Sequence, residues 1–270
     1  MSDKKWLLLG LLLIAASWIG NLLYYQSMQL KEPVFLRHYS ELDAAAHEFV
    51  TLLYLENNHA KKKVTNIIIE EMPQLRFDMH EWRRYTHQTL MRATAEFDPE
   101  YVRDKQKDRI TVRELTVLYS DGTSKTVPIG ELAFDFHERS RVLSSLSSGS
   151  SSSGSGFITA RAEQELALLA IDCSFQDKMA PLLEISLNDQ PIESMQVPLT
   201  FAKGDSFAIR YQWKIPATGS ARYEVFYPKL KLTFQAQDGE IIYDYMILNY
   251  NYYLNEKQLR AFVRAGGEVY

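Results

Sequence analysis

Twenty consecutive positions, Trp6 to Tyr25, carry no charge, and at about 1.5 Å per residue a helix of that length crosses a hydrocarbon layer of roughly 30 Å. The run predicts a transmembrane helix over residues 6–25, behind a short leader of residues 1–5. Trp6 at one end and Tyr24 and Tyr25 at the other fall where interfacial aromatic belts lie, and Lys4 and Lys5 favour keeping the leader in the cytoplasm. Residues 26–270 are then expected on the far side, with the bilayer as one partner. Ala15-Ala16-Ser17 also fits the cleavage site of a secretory signal. The apolar character continues through Trp18, Ile19, Leu22 and Leu23, however, which a cleaved signal does not need, so an uncleaved anchor is the expectation.

Past the anchor, residues 26–60 read as a connector containing Pro33, followed by a juxtamembrane helix over Ser40–Asn58. Leu42, Ala45, Ala46, Phe49, Leu52 and Leu53 recur at helical spacing, and Ser40 with Asp43 resembles an N-terminal capping pair. His47 beside this stripe is read as a packed or exposed side chain. Asn57-Asn58 and Lys61-Lys62-Lys63 would end the helix in an exposed turn.

From residue 61 the texture becomes that of strands. Val64–Met72 is β-branched and stops before Pro73, and Arg109–Ile129 predicts a hairpin turning at Asp121-Gly122. His80–Phe97 fits neither period well and is read as extended. These belong to a first β-rich module, 61–143. Ser144–Gly156, almost wholly Ser and Gly, reads as a flexible linker or loop. A second module, 157–270, follows. In Ser206–Ile215, Phe207, Ile209, Tyr211, Trp213 and Ile215 alternate with polar positions, the mark of a half-buried strand, and Leu182–Ile192 repeats the pattern before an Asn-Asp-Gln-Pro turn. Tyr223–Leu254 predicts two strands around Asp238-Gly239. The inward face changes parity near Pro228, which a β-bulge would reconcile. The strand after Gly239 is apolar on both faces and reads as central or covered. Asn255 can cap a short helix through Leu259, Phe262 and Val263, closed by Gly266-Gly267, as a lid on the second module. The expected fold class is mainly β, with antiparallel sandwiches of immunoglobulin-like or fibronectin-like type.

Charge narrows the function classes. Without Asp3, Lys4 and Lys5 the chain holds 28 basic and 33 acidic residues, a net charge of −5, which argues against a nucleic-acid partner. Cys173 is the single cysteine, so no intrachain disulfide can form. A large external part without disulfides points to a bacterial cell envelope, Gram-positive on this compositional argument. Glu114–Leu132, and the serine tract before Phe157–Gln164, resemble segments of membrane-anchored proteins of spore-forming Gram-positive bacteria, a fragmentary resemblance that implies no activity.

Candidate chemistry is sparse. His80, Glu81 and His87 are the nearest approach to a metal set, but a strand would send the two histidines to opposite faces, and no metal is expected. His38, His59 and His137 stand alone in sequence. Adjacent Glu70 and Glu71 cannot converge as glycosidase carboxylates. Neither a Gly-x-Ser-x-Gly elbow nor a phosphate loop occurs, so no cofactor or catalytic residue is assigned. Cys173 in its apolar setting reads as a small core residue. Aromatics offer more: Tyr211, Trp213, Tyr243, Tyr245, Tyr250, Tyr252 and Tyr253 could form a stacking platform, although core or cross-strand packing is the main expectation for all of them. Tyr243, Tyr245 and Tyr253 are the candidate surface for stacking on a sugar ring or a peptide. The expected function is a non-enzymatic, membrane-anchored binding or scaffolding protein of the envelope, whose partner is an envelope polymer or another membrane protein. An accessory or sensory subunit of a membrane complex is the alternative, and a cell-wall-modifying enzyme the third.

Overall fold

The computed structural model describes residues 2–44, 46, 49–104, 109–136 and 142–267, with the backbone alone for 2–4. His47 and His137 lie outside the described residues, as does the Lys4 side chain. Helix α1 (Ser2–Ser27) leads into β1 (Val34–Phe35), β2 (Arg37–Asp43), β3 (Val50–Asn57), β4 (Val64–Ile68), β5 (Asp78–Arg84), β6 (Gln88–Ala95), helix α2 (Pro99–Asp104), β7 (Arg109–Tyr119) and β8 (Ser124–Asp135). There follow β9 (Leu143–Ser150), β10 (Ser155–Ala162), β11 (Leu166–Cys173), the single turn α3 (Gln176–Met179), β12 (Leu183–Leu187), β13 (Gln190–Pro191), β14 (Leu199–Phe201) and β15 (Ser206–Trp213). Strands β16 (Glu224–Tyr227), β17 (Lys229–Ala236) and β18 (Ile241–Ile247) and helix α4 (Glu256–Arg264) come last.

The strands form two β-sandwiches. In the first, the sheet β1-β3-β6-β5 faces the sheet β16-β2-β8-β7-β4 across a core that includes Leu52, Tyr54, Val117, Leu132 and Phe134. In the second, β13-β12-β15-β10-β9 faces β14-β11-β17-β18 across Leu168, Phe207, Ile209, Leu232 and Phe234. Pairing is antiparallel throughout except around β2, which runs parallel to both β8 and β16. The alternation read in residues 206–213 is realised: Phe207, Ile209, Tyr211 and Trp213 point into the second core. The Asp121-Gly122 hairpin joins β7 to β8 as its sequence predicts.

The expected juxtamembrane helix is not formed. Its residues build the end of β2 and all of β3, whose two faces are both covered. Leu52 and Tyr54 enter the sandwich core, while Leu53 and Leu55 lie under α4. A strand buried on both faces reads as a continuous apolar run, and over so short a stretch it imitates a helical stripe. The connector after α1 is tied into the fold. Met28 and Leu30 are buried, and Asn57 clamps Leu30 by accepting from its N–H at 3.0 Å and donating to its carbonyl at 2.8 Å.

The serine tract is a hairpin rather than a linker. Strand β9 pairs with β10 from Leu143 to Ser150, and the turn closes through Ser151 N–H to the Ser155 carbonyl at 2.8 Å. Small residues suit the place, since a Cβ on Gly156 would fall 2.2 Å from the Tyr211 ring. The parity change near Pro228 also has a different cause from the expected bulge. There the chain leaves one sandwich for the other: β16 pairs with β2, whereas β17 pairs with β11 and β18. Proline fits this crossing because it has no N–H to offer a ladder. Strand β18, expected to be central or covered, is an edge strand paired with β17, and one of its faces is partly exposed. Helix α4 forms with the expected cap: Asn255 accepts from Gln258 N–H at 2.9 Å while Gln258 accepts from Asn255 N–H at 2.9 Å. It covers the first sandwich, not the second, setting Leu259, Phe262 and Val263 against Leu36, Leu53 and Leu90. In chain order the strands of the second sandwich therefore run from β9 to β18, interrupted by β16, which returns to the first sandwich, and followed by α4, which covers the first.

One buried histidine stitches the first sandwich. His38 on β2 is fully buried, and its Nε2 accepts from Leu53 N–H on β3 at 2.9 Å. That bond places the proton on Nδ1, which donates to the Leu36 carbonyl at 2.8 Å. Burial holds its pKa down at about 4, against the smaller opposing effect of the Leu36 bond, so the ring is neutral. Opposite it, Gly130 has φ +87°, and a Cβ there would lie 2.4 Å from the His38 carbonyl oxygen.

Candidate binding site

The joint between the sandwiches is a ladder of aromatic rings. Phe226, on β16 of the first sandwich, is buried in the core of the second. It stacks on Tyr39 at 5.9 Å and on Trp213 at 5.7 Å, and Tyr250 closes on Trp213 at 5.0 Å. Tyr39 also meets Phe175 edge-on at 6.1 Å, and the Lys178 ammonium sits 4.3 Å over its ring while pairing with buried Glu224 at 3.2 Å. Rings packed in this way contribute about 0.5–1.5 kcal/mol per pair beyond their burial, so the two modules are held as one body.

Where this ladder reaches the surface, a cleft of about 370 Å³ opens. The Ser151–Gly154 turn forms one wall and Tyr250, Asn251 and Tyr253 another, with Trp213 and Arg222 also lining it. Gln212 fixes the serine turn by donating to the Ser153 carbonyl at 3.1 Å, and Asn251 donates to Ser150 Oγ at 3.3 Å. Tyr253 is 61 % exposed, with the Arg83 guanidinium 4.7 Å above its ring. The Nε–H of Arg222 is buried and has no acceptor among the described residues. A buried donor left unpaired costs about 1–3 kcal/mol.

A second cleft, of about 660 Å³, lies between the Lys31–Arg37 segment, the start of β8 and the end of α4. Phe35, Val127 and Phe262 give it apolar walls, and Lys31, Glu32 and Lys125 also line it.

The three tyrosines singled out in the sequence do not share a site. Tyr243 and Tyr245 lie two apart on the outer face of edge strand β18, with Lys231 Nζ 4.0 Å over the Tyr243 ring. Tyr253 lines the cleft at the joint, in company with Tyr250. Tyr211 and Trp213 are core residues. Of the histidine pair, His80 is exposed on β5, while His87 packs against Tyr24 and Tyr25 at 6.0 and 5.8 Å. Among the described residues no group of three His, Cys, Asp or Glu could hold a metal ion. Cys173 is half-buried, and its thiol is pushed up to about 12 by burial, with nearby Glu41 adding to the shift. Arg222 and Asn251 had no sequence signal, since neither belongs to a motif and the partners that make them notable are far along the chain.

Among the described residues one helix, Lys5–Ser27, is long and apolar enough to cross a membrane, and its apolar window has a mean hydropathy of 2.0 and no buried residue. The class defined is thus a two-sandwich β-protein carrying an apolar N-terminal helix. No protein-family model and no curated protein matches the chain. Among solved structures it is similar to the YadV chaperone, at 9% identity over 80% of this chain and 100% of the chaperone, with a TM-score of 0.27. It is similar also to the MSCRAMM ACE of Enterococcus faecalis, at 8% identity over 81% of this chain and 93% of that protein, TM-score 0.24. A chimeric titin Z1Z2 matches at 9% identity over 82% of this chain and 99% of titin Z1Z2, TM-score 0.22. Likenesses this distant carry no argument about ligand or activity.

Proposed function

We propose that this is a membrane-anchored, extracytoplasmic binding protein of a bacterial envelope, non-enzymatic, which holds a glycan segment of an envelope polymer in the cleft at the joint. The observation that carries the reading is a cleft whose lining combines the aromatic side chains of Tyr250 and Tyr253 with Arg222, Asn251 and the Ser151–Gly154 turn. A sugar ring supplies both complements. Its C–H face stacks on an aromatic ring, and its hydroxyls accept from arginine and exchange hydrogen bonds with Ser and Asn side chains. Anchoring is supported by the way α1 enters the fold. Its apolar surface stays uncovered to Leu23, and the chain then goes directly into buried Met28 and Leu30, so cleavage after residue 16 would leave Trp18, Ile19, Leu22 and Leu23 bare in water.

Full-length protein in nonionic detergent, titrated by calorimetry with oligosaccharides released from the cell wall, tests the reading. Binding should weaken about tenfold in Tyr253→Ala and in Arg222→Ala, the effect of losing one stacking contact or one hydrogen bond to a charged donor. Absence of binding to every wall fraction would sink it.

A further inference from the structure

The overall negative charge of the chain is unevenly placed. Three turns of the first sandwich gather beside the end of α1: β3–β4 (57–63), β5–β6 (85–87) and β7–β8 (120–123). Contacts fix them there. His87, in the β5–β6 turn, packs on Tyr24 and Tyr25, and Gln88 donates to the Met28 carbonyl. The Asn58 N–H donates to the His87 carbonyl at 3.0 Å, and Ser120 N–H to the Lys63 carbonyl at 2.8 Å. No slack separates helix from sandwich, so the depth of Tyr24 and Tyr25 sets the depth of these turns. If those tyrosines occupy the interfacial belt, the turns lie at headgroup level.

The side chains found at this end are mainly cationic. Segments 28–32, 57–63, 83–87, 119–125 and 255–257 contain eight Lys or Arg and only Glu32, Asp121 and Glu256 as acids, in a chain whose net charge is −4. The acids are occupied internally. Glu32 pairs with Lys62 at 3.8 Å and with Lys125, Asp121 pairs with Lys62 at 3.8 Å, and Glu256 accepts from Thr86 N–H at 2.9 Å. Lys61 and Lys63 are exposed and have no ion pair among the described residues. Consecutive lysines held on a fixed turn beside a spanning helix match the pattern by which basic segments meet anionic lipid.

We infer that this end of the first sandwich, through Lys31, Lys61, Lys62, Lys63 and Lys125, docks on the phosphate headgroups of anionic phospholipids. The inference rests on the anchor in the proposed function, though not on the glycan site. Docking would hold the whole rigid body in one orientation on the bilayer and present the joint cleft at a constant height.

The test uses full-length protein reconstituted in nanodiscs of phosphatidylcholine alone, and of phosphatidylcholine with phosphatidylglycerol at three to one. Lysines are acetylated briefly and the yields read by mass spectrometry, with exposed Lys203 of the β14–β15 turn as internal reference. Lys61 and Lys63 should react about threefold more slowly in the anionic discs, because a negative surface potential keeps nearby amines protonated. High salt should restore the rate, and Lys203 should not change. In the variant Lys61→Glu/Lys62→Glu/Lys63→Glu, the slowing at Lys31 and Lys125 should disappear. Equal rates in the two discs, or equal slowing of Lys203, would overturn the inference. Extraction of the protein from vesicles by alkaline carbonate would mean that the anchor itself is wrong, whereas retention with equal rates would refute only the headgroup contact.

Discussion

Replacing His38 by glutamine should remove a specific part of the acid sensitivity of this protein. Glutamine can keep an acceptor near Leu53 N–H but cannot titrate, and it forfeits the 2.8 Å bond to the Leu36 carbonyl. At neutral pH that loss should cost about 1 kcal/mol. The difference between the two proteins then changes with pH. Folding lowers the His38 pKa from 6.5 to about 4, so the unfolded chain takes up the proton first. The stability contributed by the neutral ring is complete above the unfolded value and drains away as pH falls toward the folded one. From those two values the loss is about 2 kcal/mol at pH 5 and about 3 kcal/mol at pH 4. Protonation would also set an N–H against the Leu53 N–H where an acceptor now stands. Urea unfolding of full-length protein in detergent, followed by tryptophan fluorescence at several pH values, measures both slopes. Wild type should fall more steeply than His38→Gln between neutral pH and pH 4, and the variant should become the more stable below about pH 6. Two curves that stay parallel to within about 0.5 kcal/mol across that window would refute the assignment of a buried neutral imidazole.

Two other outcomes bear on the joint and on the lone thiol. Phe226→Ala removes a ring that is 1 % exposed and stacked on both Tyr39 and Trp213, and should cost about 3–5 kcal/mol in the same urea assay; a loss under about 1 kcal/mol would mean that the sandwiches are not packed through it. With its thiol pushed up to about 12, native Cys173 should react with iodoacetamide at pH 8 on the order of a thousandfold more slowly than in urea, and comparable rates would contradict the described surroundings.

Much of the local structure was legible. Asp121-Gly122, the alternation from Phe207 to Trp213 and the Asn255 cap are short-range devices, each specified within a dozen residues, and each forms as read. The misreadings share a cause. Strand β3 is apolar on both faces because α4, some two hundred residues later, covers one of them. Strand β9 is built almost wholly of serine and glycine, and it is a strand because β10 offers it a ladder and Gly156 leaves room for the Tyr211 ring. The parity change at Pro228 marks a passage between sandwiches, and no local pattern separates that from a bulge.

The candidate sites follow the same division. Exposed Tyr253 and the lysine turn at 61–63 were visible as residue types. Their meaning came from neighbours distant in sequence: the Ser151–Gly154 turn and Arg222 beside the tyrosine, and Tyr24, Tyr25 and His87 fixing the end of the sandwich that carries the lysines.

By itself the sequence determined an apolar N-terminal helix, a mainly β body, its tight turns and the absence of intrachain disulfides, since these depend on composition and on contacts between near neighbours. Tertiary structure alone decided that β16 and α4 return to the first sandwich, that Phe226 locks the two sandwiches together, and that a serine-rich tract becomes a wall of a cleft. Those outcomes depend on which surfaces are buried against which, and burial is a property of the whole chain closing on itself.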